Sequence, residues 1–182
     1  VNQAGAIGAA GAIVMAGYVS VPFFPSLNGK ELSYIMEYGD VDALFLGKIE
    51  TWEDIKNDLP NDMPMITFPH YKGCSKVTRG FKWHDFINSY EPIQNPNKPK
   101  LSDLWTIIFT SGTTGNAKGV MLTYQAIDGI KVVLDDPNNP LGIKHDGNND
   151  FISYLPLNHI FERVVIEWCS FLSLIHISEP TR

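Results

Sequence analysis

Between Tyr18 and Phe68, short apolar runs alternate with amphipathic ones, and few folds accept that alternation. Tyr18–Phe23 reads as a strand, and Lys30–Tyr38 as a helix with Leu32, Ile35 and Met36 on one face. Ala43–Leu46 is a second strand, Thr51–Leu59 an acidic amphipathic helix, and Met63–Phe68 a third strand bounded by Pro60 and Pro69. Parallel neighbours need long crossovers, which helices supply. The rhythm therefore predicts an α/β fold, a mostly parallel sheet with covering helices.

The rest of the chain extends this pattern. Ala4–Val21 is apolar but carries Gly5, Gly8, Gly11 and Gly17 and no basic flank, so it reads as a buried small-residue helix leading into the first strand rather than a membrane span. His84–Ser89 reads as one helical turn. Pro92, Pro96 and Pro99 mark 91–103 as a linker between an N-terminal part, 1–90, and a second part, 104–171. Leu104–Thr110 is a continuous apolar strand with Gly119–Tyr124 as its hairpin partner, and Gln125–Leu134 is helical. Residues 136–149, rich in Asn, Gly and Pro, form a surface loop, followed by a strand at Phe151–Leu155 and an amphipathic helix at Ile160–Phe171.

Composition excludes several function classes. The 182 residues are 44% hydrophobic and 19% charged, a globular balance. A net charge of −6 offers no broad basic surface, so nucleic acid is not expected as a partner. Cys74 and Cys169 are too few for a disulfide scaffold or a four-ligand zinc site, which points to a reducing compartment.

One segment carries chemistry. Thr110-Ser111-Gly112-Thr113-Thr114-Gly115-Asn116-Ala117-Lys118-Gly119 follows an apolar strand and supplies four hydroxyls, three glycines and one lysine. Glycines let backbone N–H groups approach phosphate oxygens, hydroxyls donate further hydrogen bonds, and Lys118 brings positive charge. A site for the β- and γ-phosphates of a nucleotide follows. The loop is not a Walker A motif, because Ala117 stands where Gly is required and Gly119 where Ser or Thr is required; nor is it G-x-G-x-x-G. A plain polar hairpin loop is the alternative.

Phe109–Val120 resembles the signature of the adenylate-forming, AMP-binding superfamily, with Ala117 where a Pro usually precedes the Lys. Tyr154-Leu155-Pro156-Leu157-Asn158-His159-Ile160-Phe161-Glu162-Arg163 resembles the long-chain fatty acyl-CoA synthetase branch. Gly17–Leu27 is similar to a further family segment, so the resemblance covers residues 1–171.

That resemblance implies activation of a fatty acid by ATP, release of pyrophosphate, and transfer of the acyl group from acyl-AMP to CoA. It places Thr110, Ser111, Gly112, Thr113, Thr114, Gly115 and Lys118 on the ATP phosphates, Thr113 near Mg²⁺, and His159 beside the acyl-adenylate. Lys118 and His159 are the implied catalytic residues. Glu162 and Arg163 read as a helix-surface pair without a catalytic role, and Cys169, Trp105 and Phe109 as core. Another adenylate-former acting on aryl or amino acids, or a non-catalytic nucleotide-binding module, are the competing readings. A cytoplasmic setting is expected, with peripheral membrane contact suited to a fatty substrate; oligomeric state is not specified by the sequence.

The expected family segments for adenine, ribose and Mg²⁺, and the small C-terminal domain, have no counterpart here, so the fold expected is a truncated N-terminal domain without synthetase activity of its own. Leu172–Arg182 reads without error as translated sequencing-library adapter DNA and is expected to lie outside the fold. Removing Glu179 and Arg182 leaves the net charge at −6.

Overall fold

The computed structural model describes residues 3–110, 117–138, 140, 142–143, 149–152, 155–171 and 176–178. Helix α1 (Gln3–Met15) buries Ile7, Ala9 and Ala10. The chain then runs extended and touches the sheet at one point, a parallel bridge between Ser20 and Thr106. The strand expected over Tyr18–Phe23 is thus reduced to a single bridge: Ser20 N–H donates to Trp105 O at 3.3 Å and its carbonyl accepts from Ile107 N–H at 3.1 Å, whereas Tyr18 N–H turns back to Ile13 O at 3.0 Å.

Helix α2 (Gly29–Tyr38) starts at a capping box. Asn28 Oδ1 accepts from Glu31 N–H at 3.0 Å, and Glu31 Oε2 accepts from Asn28 N–H at 3.1 Å. Its apolar stripe, Leu32, Ile35 and Met36, is buried as expected. Strand β1 (Leu44–Leu46), short helix α3 (Trp52–Ile55) and strand β2 (Met65–Thr67) follow. β1 and β2 are parallel with Leu44 opposite Met65, and β2 pairs in parallel with β3 (Phe81–Lys82). Helix α4 (Trp83–Asn88) leaves β3 directly.

A core of Leu32, Met36, Leu44, Leu46, Trp52, Ile55, Leu59 and Met65 holds these elements together. Gly80 makes the approach to β3 possible: its φ is +97°, and a Cβ there would stand 2.7 Å from Met65 O. Gly80→Ala is expected to cost about 1–3 kcal/mol from backbone strain alone, with the clash adding to it; a lowered urea midpoint at unchanged slope is the measurement that checks this.

Residues 91–103 carry neither helix nor strand. Strand β4 (Leu104–Thr110) and strand β5 (Lys118–Thr123) then form an antiparallel hairpin, and helix α5 (Tyr124–Leu134) continues from β5. Strand β6 (Asp150–Ile152) pairs in parallel with β7 (His176–Ser178), so part of the segment expected to stand apart from the fold lies along a strand, with Ile177 opposite Phe151. The last helix begins at Ile160, runs as a π-helix over Glu162–Glu167, and ends as α6 (Trp168–Phe171). Trp105, Tyr124, Ile127, Ile130, Ile143, Val165, Ile166 and Cys169 form the second core, between the hairpin, α5 and this last helix.

Parallel pairing in β1–β2–β3 with helices packed against the sheet makes the molecule α/β, as expected. No helix among the described residues is long and apolar enough to cross a membrane.

Candidate functional site

The β4–β5 hairpin presents the candidate phosphate grip. Trp105, Thr106, Ile108 and Phe109 are buried, which fixes β4 in the core up to its last residue. Thr110, where β4 reaches the surface, pairs in register with Lys118, the first residue of β5. The Thr110 hydroxyl donates to Lys118 O at 3.5 Å, at the outer limit of a hydrogen bond. Both side chains are exposed.

The strands approach closely behind them. Gly119 faces Phe109, and a Cβ at 119 would lie 2.9 Å from Ile107 Cγ2 and 3.3 Å from Phe109 Cζ. Glycine at 119 thus lets the two strands close directly beneath Lys118. The hairpin thus sets Thr110 and Lys118 opposite each other at its mouth. Ser111, Gly112, Thr113, Thr114 and Gly115, including the Mg²⁺ candidate Thr113, lie outside the described residues. Among the described residues, no group of three His, Cys, Asp or Glu side chains is placed to hold a metal ion.

His159 sits exposed at the entry to the last helix. Its N–H donates to Pro156 O at 2.8 Å, and its carbonyl accepts from Arg163 N–H at 3.1 Å. Among the described residues, no hydrogen bond joins it to Thr110 or Lys118. Asn158, immediately before it, is 3% exposed, and neither atom of its carboxamide has a hydrogen-bond partner. A buried amide left unsatisfied costs on the order of 1–3 kcal/mol.

The reading of Glu162 and Arg163 as a surface pair is overturned. Each is 1% exposed, and Arg163 pairs instead with Glu167, itself at 0%. Arg163 Nη2 donates to Glu167 Oε1 at 3.1 Å, while Nη1 donates to Ser20 Oγ at 3.0 Å and Thr106 Oγ1 at 3.1 Å. The guanidinium lies 4.7 Å over the Trp105 ring. Thr106 Oγ1 uses its own proton on Ser20 O, at 2.7 Å, which leaves its lone pairs for Arg163. Burial pushes the Arg163 guanidinium below its usual value and the Glu167 carboxyl above its own, and each charge pulls the other back.

The pair sits within the π turn. One extra residue in the turn, with Trp168 N–H donating to Arg163 O, rotates the following side chains away from the simple helical register. From Glu162 to Cys169 every position is buried or half-buried, whereas Ile160 and Phe161 at the helix start are exposed. The signal in the sequence was slight: Glu167 stands alone in the apolar run Val164–Cys169. Cys169, Trp105 and Phe109 are core, as expected, and burial pushes the Cys169 thiol up, away from nucleophilic use.

The family described as AMP-binding enzyme matches residues 2–178. The chain belongs to that family. It is 31% identical to long chain acyl-CoA synthetase 4 of Arabidopsis thaliana over 83% of the chain and 24% of that protein. It is 30% identical to long-chain-fatty-acid–CoA ligase 1 of Homo sapiens over 81% of the chain and 23% of that protein. The chain therefore spans about a quarter of the length of the curated relatives it matches. Among solved structures, it superposes on ATP-bound MatB from Rhodopseudomonas palustris with a TM-score of 0.73 at 22% identity, covering 96% of this chain and 32% of that one. Its α/β architecture is that of the N-terminal domain of adenylate-forming enzymes.

Proposed function

We propose that these residues are the phosphate-gripping part of an ATP-dependent long-chain fatty acid–CoA ligase. The observation that carries this reading is the pairing of Thr110 and Lys118 at the mouth of the β4–β5 hairpin, on either side of a loop of hydroxyls and glycines. A fatty carboxylate is already a nucleophile, so such an enzyme needs positioning and charge stabilisation more than a base. The Lys118 ammonium and the Thr110 hydroxyl suit the β- and γ-phosphates, with Ser111, Gly112, Thr113, Thr114 and Gly115 completing the grip. Lys118 would offset charge as the bond from the α-phosphate to pyrophosphate breaks and the carboxylate oxygen attacks phosphorus.

His159 would donate to a carboxylate or phosphate oxygen on the acyl side. The unsatisfied carboxamide of Asn158 beside it fits a polar group arriving there. Mg²⁺, near Thr113, would supply charge neutralisation to phosphate oxygens. CoA would receive the acyl group in the second half-reaction. The long-chain assignment rests on the names and identities of the relatives, near 30%. Because the chain spans about a quarter of their length, the complete reaction is proposed for a longer polypeptide carrying this segment, and the 182 residues alone are expected to form no acyl-CoA. A cytoplasmic protein with peripheral contact at a membrane would suit such a substrate.

The test is acid-dependent exchange of labelled pyrophosphate into ATP by the full-length reading frame. Exchange driven by long-chain fatty acids, and not by aryl or amino acids, is the expected result. Exchange driven only by aryl or amino acids would replace the substrate class. ATP binding without exchange for any acid would favour a non-catalytic nucleotide module.

A further inference from the structure

The buried Arg163–Glu167 pair has no catalytic contact and is a poor investment in stability. Apolar residues of the same volume commonly do as well as a buried ion pair. This pair is also incompletely satisfied, since Arg163 Nε and Glu167 Oε2 have no hydrogen-bond partner. What the guanidinium does provide is direction. Its two forks join three stretches of chain that lie far apart in sequence, through Ser20, Thr106 and Glu167.

Those stretches are the ones on which the proposed site stands. Thr106 is four residues before Thr110 on the same strand, and of the residues between them Ile108 and Phe109 are buried and Ile107 half-buried. Arg163 is four residues after His159, and its N–H is bonded to His159 O at 3.1 Å. We propose that Arg163 is a positioning residue: clasped by Glu167 and seated on Thr106, Ser20 and Trp105, it sets the phosphate-side strand against the acyl-side turn. The inference rests on the adenylate-forming reading above. In-line attack requires the two anions to be held in a fixed relation, and a misplacement of about 1 Å costs on the order of 100-fold in rate. A clasp between the two supports acts on that relation and not on the affinity for ATP alone.

Thr106→Val tests it with little change of shape, and Thr106→Ser restores the hydroxyl. In the full-length enzyme, Thr106→Val is expected to lower kcat for adenylate formation by about ten-fold or more, with KM for ATP within about two-fold, and Thr106→Ser to recover kcat. A second measurement uses the 182-residue chain: amide hydrogen exchange in Thr106→Val should rise together in 104–110 and 159–167, and stay unchanged in 32–46. A kcat within two-fold of the unsubstituted enzyme, a KM for ATP that rises in step with the loss of kcat, or faster exchange in neither or only one of the two segments would each overturn the proposal. If the unsubstituted full-length enzyme exchanges no pyrophosphate with any acid, the adenylate-forming reading fails. The hydrogen-exchange arm still decides whether the clasp exists.

Discussion

Lys118→Ala is expected to lower acid-dependent pyrophosphate exchange in the full-length enzyme by about 10²–10³-fold, the cost of removing one preorganised stabiliser of developing charge. The side chain is exposed at the start of β5, where it contributes little to packing. Its backbone, by contrast, is fixed: Lys118 is paired with Thr110, and Gly119 beneath it allows the strands to close. The ammonium is thus carried on a rigid base, and its removal should leave the fold intact. The variant's melting temperature and far-ultraviolet circular dichroism should match those of the parent. Lys118→Arg keeps the charge but changes its reach, so partial activity is expected from it. If the loss falls on kcat, Lys118 acts on the departing pyrophosphate; if it falls on KM for ATP alone, it only binds the nucleotide. An alanine variant as fast as the parent would remove Lys118 from the mechanism.

The sequence disclosed this hairpin because two independent signals agree there. The strand Leu104–Thr110 is buried or half-buried up to its last residue, so its apolar pattern runs unbroken. The hydroxyl and glycine loop after it has a composition that ordinary turns do not need. Helix α2 was equally legible, since its 3.6-residue stripe of Leu32, Ile35 and Met36 is a local feature. What stayed hidden is long-range. The two-residue strand β3 exists only because β2 offers it a parallel edge. Tyr18–Phe23 has a strand's composition, yet the sheet takes up only Ser20.

Arg163 and Glu167 are spaced as an ordinary surface pair, and burial of that pair depends on hydroxyls 57 and 143 residues away from Arg163. The π turn then changes the register on which any helical-wheel reading relies. Pattern reading assumes regular geometry and local partners, and the last helix departs from the first and adds Ser20 and Thr106 to the second.

Glu167→Ala should be the most damaging single substitution to stability. It leaves the Arg163 guanidinium, 1% exposed, without its counter-charge, and breaking a buried pair in this way costs about 3–5 kcal/mol. At about 2–4 °C per kcal/mol for a chain of this size, the melting temperature should fall by about 10 °C. The double variant Arg163→Met with Glu167→Leu removes both charges and fills the space with apolar groups. It should recover most of that loss, although Ser20 Oγ and Thr106 Oγ1 each lose a donor. The difference between single and double variants separates the cost of an orphaned charge from the worth of the pair. An exposed pair at i and i+4 would behave otherwise, contributing about 0.3–0.5 kcal/mol, with a loss that high salt largely erases. A Glu167→Ala loss that small and that sensitive to salt would mean that the pair is solvated in solution. A large, salt-independent loss that the double variant reverses is the result that burial of both charges requires.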